Sequence, residues 1–104
     1  MQDKLVTMLA EVCSMQLYCL RLGRLIEEGR LTDTIAALAK MNNTRKAREV
    51  IAVARDLLGG NGVLLDFHVM RHMADIEALH TYEGTETIQT LIVGRDITGV
   101  GAFA

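Results

Sequence analysis

The sequence has no proline and no tryptophan, and its two tyrosines and two phenylalanines make up only 4% of the 104 residues. Because proline breaks helices, its absence, together with many Ala, Leu, Met, Arg and Glu residues, favours long helices over a sheet. With so few aromatic rings, the core must be built from aliphatic side chains, and half of the residues are hydrophobic. A chain of this length forms one domain. We therefore expect a single all-α domain.

An excess of charge of one sign is also lacking, because 11 basic residues are balanced by 13 acidic ones, for a net charge of −2. This balance excludes the basic patch of a nucleic-acid-binding protein and the polybasic segment of a membrane-surface protein. The sequence shows no signal peptide and no apolar run near the ~20 residues that a membrane helix needs. We therefore expect a soluble intracellular protein without membrane insertion. Cys13 and Cys19 lack a CxxC spacing and are expected to be reduced packing thiols.

Four runs of apolar residues at spacings of three and four predict four helices joined by short links. The first, from Gln2 to Glu28, is apolar on more than one side, so we expect it to touch two neighbours and to promote self-association. The second follows the cap-type residues 31–34, the third covers about Asp66 to Leu79, and the fourth ends near Gly99. The predicted fold is an antiparallel four-helix bundle. Its breaks are expected near Gly29 to Thr32, Gly59 to Leu65 and Leu79 to Thr85.

The link before the fourth helix, residues 81–87, reads Thr-Tyr-Glu-Gly-Thr-Glu-Thr. A carboxylate on a tight glycine turn beside an aromatic ring can lie at the edge of an apolar cleft, where desolvation raises its pKa towards the range of a general base. In the alternative interpretation, Glu83 and Glu86 only complement the dipole of the following helix. The residue types alone favour this second interpretation.

A second glycine cluster, Gly59-Gly60-Asn61-Gly62, follows the end of the second helix. Adjacent glycines let a ligand approach the backbone closely, and the exposed amides of such a turn can bind a phosphate. The cluster does not fit the dinucleotide fingerprint, which follows a strand and opens a helix. Helix termination is the default interpretation.

A metal site is a weaker possibility at His68 and His72, which are four residues apart with Asp75 close behind. Two imidazoles on one helix face can share a metal ion, but no HExxH motif and no other cluster supplies the remaining ligands. We therefore predict no metal site. The sequence also offers no Ser/His/Asp or Cys/His nucleophile set.

Taken together, two separated motifs resemble the carboxy-terminal helical domain of the acyl-CoA dehydrogenase family. They are Leu57-Leu58-Gly59-Gly60-Asn61-Gly62 and Tyr82-Glu83-Gly84-Thr85, the latter followed by Ile88-Gln89 and Leu91-Ile92-Val93-Gly94-Arg95. Their pairing is more specific than either motif, and the likeness extends over essentially the whole chain. Three further segments are similar to the glutaryl-CoA dehydrogenase subgroup: Asn42-Asn43, Ala54-Arg55-Asp56 and the ending Gly94-Arg95-Asp96-Ile97-Thr98-Gly99.

The resemblance implies a flavoprotein that removes the α and β hydrogens of an acyl-CoA thioester. Glu83 falls on the family's catalytic base, which takes the α-proton while the β-hydride passes to N5 of FAD, and Tyr82 and Gly84 fall beside the thioester. Two segments match positions near FAD, the first of which reaches the flavin of a neighbouring subunit: Asp56, Leu57, Leu58, Gly59 and Gly60, and then Thr85, Glu86 and Thr87.

The sequence departs from the family pattern at two places. Ala74-Asp75 stands where many relatives have an Arg-Asp pair, a difference that the glutaryl type shares. Asp56 replaces a common glutamine, which removes a side-chain amide from the expected flavin contact.

The same resemblance implies a homotetramer, an electron-transfer flavoprotein as electron acceptor, and a location in the bacterial cytoplasm or the mitochondrial matrix. The family's two other domains have no counterpart here, so we interpret residues 1–104 as a fragment of a longer enzyme that by itself binds FAD poorly. The alternative is a stand-alone helical module that dimerises and catalyses nothing.

Overall fold

The computed structural model describes residues 1–101, most of which are helical. The helices are α1 (Gln2–Glu27), α2 (Asp33–Leu57), α3 (Val69–Thr81) and α4 (Glu86–Thr98). Between α2 and α3 the chain forms two 3₁₀ turns, Gly59–Val63 and Leu65–Phe67. This described part contains no strand, so the all-α prediction with four helices is confirmed.

Helix α2 is the centre of the fold, because α1, α3 and α4 each pack mainly against it. Two pairs show that α1 runs antiparallel to α2. The Lys4 ammonium lies 3.8 Å from a carboxylate oxygen of Asp56, and the Asn43 amide donates to Cys19 Sγ at 3.3 Å. The start of α1 therefore lies beside the end of α2.

The three predicted breaks are confirmed, but α3 begins at Val69 rather than near Asp66. Residues 65–67 form a 3₁₀ turn, and His68 takes a left-handed φ of +68°, which an α-helix of L-residues does not accommodate. His68 is thus the N-cap residue of α3, and His72 lies in its first turn. The expectation that both histidines lie on one helix face is wrong for this reason.

Threonine side chains mark the starts of α2 and α4. Thr32 Oγ1 accepts a hydrogen bond from the Ile35 amide at 3.2 Å, and Thr85 Oγ1 accepts one from the Ile88 amide at 3.3 Å. Each cap satisfies an amide that has no partner inside the helix, which is worth about 1 kcal/mol. The cap at Thr85 also fixes where the preceding loop ends.

The hydrophobic core of the described residues is small and consists of Leu25, Ala37, Ala39 and Ile76. Helix α1 contributes Leu25 alone, and its exposed large apolar side chains include Leu5, Val6, Leu9, Leu17 and Leu20. Within the chain, α1 therefore meets α2 on one side and leaves its other side uncovered. Cys13 and Cys19 are also exposed, so the prediction that they are packing thiols is wrong.

Helix α1 is long and apolar enough, by length and composition, to cross a membrane. The expectation that no apolar run approaches this length is therefore wrong. Core helices of soluble proteins meet the same criterion, and Glu11 of α1 pairs with Lys46 of α2 at 3.6 Å. One side of the helix is thus docked on protein.

Candidate functional site

The loop of residues 82–85 joins α3 to α4 and carries the carboxylate singled out in the sequence. Glu83 adopts a left-handed φ of +55°, and Gly84 follows with a φ of +100°. A non-glycine residue in this region costs roughly 1–2 kcal/mol, so its neighbours must hold it there. The 82–85 loop therefore turns sharply at Glu83.

Gln89, which is buried in α4, supports the loop from one side. Its Nε2 atom donates to the carbonyl of Gly84 at 3.1 Å and to that of Glu83 at 3.4 Å. A Cβ atom on Gly84 would lie 2.5 Å from the same Nε2 atom, closer than real Cβ contacts allow. Gly84 is thus glycine both because of its backbone angle and because of Gln89.

Lys40, which is half-buried in α2, supports the loop from the other side. Its Nζ atom donates to the carbonyl of Tyr82 and, at 2.6 Å, to that of Gly84. The same ammonium lies 5.6 Å from the centre of the Tyr82 ring, within range of a cation–π interaction. Three consecutive carbonyls, at residues 82, 83 and 84, therefore accept hydrogen bonds from side chains of two different helices.

The Glu83 side chain itself is exposed, and so is the neighbouring Tyr82, at 52%. The apolar cleft expected around Glu83 is therefore not formed by the described residues. The fold holds the backbone of Glu83 and leaves its carboxylate at an open surface.

Ion pairs next to the loop tie α4 and α3 to α2. Arg45 Nε donates to Glu86 Oε1 at 2.9 Å, and Arg48 Nε donates to Glu77 Oε1 at 2.7 Å. His80 lies between the two pairs, with its Nε2 atom 3.2 Å from Arg48 Nη1 and 3.6 Å from Glu86 Oε2. The start of α4 is thereby anchored at the middle of α2.

Glu86 is the first residue of α4, as the helix-dipole interpretation of that residue expects. The hydrogen bond from Arg45, assisted by the charges of Arg45, His80 and Arg48, holds the pKa of Glu86 below its ordinary value of 4.5. A carboxyl whose pKa is lowered by folding stabilises the fold above its ordinary pKa. This contribution is lost as the pH falls through the lowered value.

The second glycine cluster follows the end of α2. Gly59 is 19 residues beyond Lys40, which corresponds to about 28 Å at 1.5 Å per residue, and Asp56 is 11 residues beyond Arg45, or roughly 16 Å. The 82–85 loop and the Gly59–Val63 turn therefore lie against different parts of α2. Of the other candidate residues, Thr85 is the last residue of the loop, and Glu86 and Thr87 follow it. Asp56, Leu57 and Leu58 precede the turn, and Gly60 lies within it.

The glycines of the turn differ in what surrounds them. A Cβ atom on the buried Gly62 would lie 2.1 Å from the carbonyl oxygen of Arg55, in the last turn of α2. Gly59 has a φ of +60°, but a Cβ atom there would meet nothing within 4 Å. Gly60 has neither a positive φ nor a neighbour within 4 Å of such an atom. Nothing in the described chain requires glycine at position 60.

Residues 1–101 contain no group of three or more His, Cys, Asp and Glu side chains that could hold a metal ion. His68 and His72 are both exposed at the start of α3. The structure thus adds no ligands to the two histidines that the sequence pattern suggested.

Sequence reasoning did not predict the two residues that hold the loop. Gln89 is named in the sequence only as part of a segment that resembles the family. A polar residue among Ile88, Leu91 and Ile92 is nevertheless a usable signal of a buried hydrogen bond. Lys40 gave no signal, because its contacts lie 42 and 44 residues away along the chain.

Comparison with protein-family models gives a match over residues 1–98 to "Acyl-CoA dehydrogenase, C-terminal domain". A curated Escherichia coli relative named "Probable acyl-CoA dehydrogenase YdiO" is 31% identical over 96 residues, which are 92% of this chain and 25% of the relative. The chain therefore spans about a quarter of the length of the curated relatives it matches.

Solved structures agree with this match. A glutaryl-CoA dehydrogenase from Mycobacterium smegmatis superimposes with a TM-score of 0.95 at 43% identity, covering 99% of this chain and 27% of that one. A glutaryl-CoA dehydrogenase from the same organism in complex with FADH2 superimposes with a TM-score of 0.94 at 35% identity, with the same coverage of both chains.

Proposed function

Because the chain belongs to the acyl-CoA dehydrogenase family, we propose that residues 1–104 are the carboxy-terminal helical domain of an FAD-dependent acyl-CoA dehydrogenase of the glutaryl-CoA type. The enzyme oxidises the α,β carbon–carbon bond of an acyl-CoA thioester. The observation that carries the proposal is the exposed Glu83 on a left-handed turn whose carbonyls are held by Lys40 and Gln89. An exposed carboxylate without a partner in the described chain, on a backbone that is held in place, is suited to act on a ligand rather than to stabilise the fold.

Glu83 is the α-proton base in this proposal. Its carboxylate accepts the proton from the carbon next to the thioester carbonyl, while Tyr82 and Gly84 line the position of the thioester. FAD, when bound, supplies the acceptor for the hydride that leaves the β carbon. The exposure of Glu83 in this chain supports a cleft completed by other parts of the enzyme, since a base gains strength when water is excluded.

The residues near the two glycine motifs fit a flavin in different ways. Around the loop, Thr87 is exposed, and Thr85 caps the first turn of α4. The Glu86 carboxylate, in contrast, already accepts a hydrogen bond from Arg45. At the turn, Gly60 leaves open space where any other residue would place a side chain. Asp56, Leu57, Leu58 and Gly59 precede that opening, and the exposed amides of such a turn suit a phosphate.

The proposal includes a homo-oligomer, and in particular a homotetramer, which rests on the family resemblance. Glu86 pairs with Arg45, and Asp56 lies 11 residues further along α2, roughly 16 Å by the helical rise. In the proposed assembly, one flavin is contacted by the loop of one subunit and by the turn of another. The exposed apolar side of α1 supports the same assembly, because a large uncovered apolar surface is typical of a protein contact.

The proposed electron acceptor is an electron-transfer flavoprotein, and the proposed location is the bacterial cytoplasm, with the mitochondrial matrix as the counterpart in eukaryotes. Both follow from the family resemblance. By itself the chain provides only one open wall of the cleft, so we expect weak flavin binding without the remainder of the enzyme.

The test is the substitution Glu83→Gln in the full-length enzyme, measured as flavin reduction by glutaryl-CoA. Gln keeps the size of the side chain and removes the base, so we expect the rate to fall by ~10² to 10⁴-fold, with acyl-CoA affinity changed much less. The matched control is Glu27→Gln, which removes an exposed carboxylate at the end of α1.

A Glu83→Gln enzyme that reduces its flavin at the wild-type rate contradicts the proposed base. The exposed apolar side of α1 favours a second candidate, the stand-alone dimerisation module. A native gene product of 104 residues that dimerises and binds no flavin supports this module instead.

A further inference from the structure

We propose that Lys40 of α2 is a positioning residue, which acts together with Gln89 of α4 to hold Glu83 in the orientation needed for proton abstraction. This inference rests on the proposed role of Glu83 as the base. Neither residue touches the reacting atoms in the proposal, because both act through the backbone carbonyls of the 82–85 loop.

The hydrogen bonds of Lys40 reach both sides of Glu83. The Nζ atom donates to the carbonyl before Glu83, at Tyr82, and to the carbonyl after it, at Gly84. An ammonium group has three donors, so both bonds can form at once. Gln89 completes the arrangement, because it donates to the carbonyl of Glu83 itself and shares the Gly84 carbonyl with Lys40.

This bracing matters because the Glu83 backbone lies in a sparsely populated conformation, with a φ of +55°. The direction of the side chain follows the backbone angles, so a peptide plane that is free to rotate changes where the carboxylate points. A displacement of about 1 Å in a reacting group can slow a reaction by about 10²-fold. Removing the donors is therefore expected to lower the rate of proton abstraction.

The contacts of Lys40 differ from those of the other lysine on α2. Lys46 has two carboxylate partners, Glu11 at 3.6 Å and Glu49 at 3.7 Å, which is an ordinary arrangement for a surface lysine. Lys40 instead directs its charge at carbonyl oxygens of a loop from another part of the chain. Lys46 is thus a matched control on the same helix.

The experiment compares Lys40→Met with Lys46→Met in the full-length enzyme. For Lys40→Met we expect flavin reduction at saturating glutaryl-CoA to slow by ~10- to 100-fold. The dissociation constant for acyl-CoA is expected to change by less than about threefold, since Tyr82 and Gly84 line only the thioester of a much larger ligand. Hydrogen exchange of the Tyr82 and Gln89 amides, whose hydrogen bonds to the Ala78 and Thr85 carbonyls flank the loop, is expected to rise by about tenfold or more, whereas amides in α1 stay as protected as before. Lys46→Met is expected to change none of these quantities at the loop.

Two further variants separate positioning from a general loss of structure. Lys40→Arg keeps a cationic donor and is expected to recover most of the rate. Gln89→Met keeps a side chain of similar size but removes the second donor, and it is expected to slow reduction without weakening acyl-CoA binding. Gln89→Met decides the matter if Lys40→Met does not fold, and a wild-type rate in that variant overturns the proposal.

The failure of this inference can be distinguished from failure of the proposed function. If Glu83→Gln abolishes flavin reduction while Lys40→Met reduces its flavin at the wild-type rate, the base stands and the positioning role is wrong. Unchanged exchange of the Tyr82 and Gln89 amides in Lys40→Met also overturns the positioning role. If Glu83→Gln itself behaves as wild type, the proposed function fails first.

Discussion

The 82–85 loop and the Gly59–Val63 turn both contain glycine and lie against different parts of α2, yet their surroundings constrain them differently. In the loop, side chains from α2 and α4 hold three consecutive carbonyls. In the turn, Gly62 packs against the backbone of α2, while Gly59 and Gly60 face open space. The chain itself therefore fixes the loop and leaves half of the turn uncovered.

This comparison distinguishes two reasons why glycine occupies a position in the chain. Gly84 and Gly62 are explained within the chain, because a Cβ atom on either would collide with Gln89 Nε2 or with the Arg55 carbonyl. Gly60 has no such explanation in the described residues. A glycine that its own fold does not need points to close approach from outside, as the proposed flavin contact requires.

The largest expected effect is that of Gly62→Ala. The added methyl group would lie 2.1 Å from a backbone oxygen, which cannot move without opening the last turn of α2. Overpacking of this kind costs about 3 kcal/mol at its upper range. We expect hydrogen exchange of the amides at residues 55–58 to accelerate by about 100-fold, since 1.4 kcal/mol corresponds to a factor of about ten. Unchanged exchange there would show that the turn accommodates a side chain.

Gly84→Ala is expected to have an intermediate effect. The substitution meets the Gln89 side chain at 2.5 Å and places alanine at a φ of +100°, but a side chain yields more easily than a backbone. We expect a local loss of about 1–3 kcal/mol, seen as faster exchange of the Tyr82 and Gln89 amides beside the loop, together with slower flavin reduction. Gly84→Ala with a wild-type reduction rate would argue that the loop tolerates displacement.

The sequence was sufficient for the local features of the fold. Thr32 and Thr85 are cap residues, and the hydroxyl of each accepts a hydrogen bond from the backbone amide three residues later. Gly99 ends α4 with a left-handed φ of +75°. These signals lie within a few residues of the structure that they specify. The predicted start of α3 is too early because the left-handed conformation of His68 is rare for a residue other than glycine.

The candidate site was predictable only in part, because its bracing depends on contacts between distant residues. Glu83 and Gly84 stand together in the sequence, and their turn could be expected from the glycine. The position of Lys40 against that turn depends on how α2 packs with α3 and α4, which no local pattern encodes. The exposure of Glu83 likewise depends on which surfaces cover it, and residues 1–101 leave it open.

The smallest expected effect on stability, and the sharpest test of the comparison, is that of Gly60→Ala. Alanine at this position meets no atom within 4 Å, and the backbone has no positive φ. The substitution is therefore expected to change local stability by less than about 1 kcal/mol, in the stabilising direction if at all.

In the full-length enzyme, however, the methyl group of Gly60→Ala would occupy the space through which the proposed flavin approaches the turn. We expect FAD affinity to fall by about tenfold, or about 1.4 kcal/mol, measured by flavin release during dilution. Gly23→Ala is the matched control, because Gly23 also has open space around it but lies in α1, towards the opposite end of α2. If both variants retain FAD equally, the open half of the turn does not contact the flavin, and the reason for glycine at position 60 lies elsewhere.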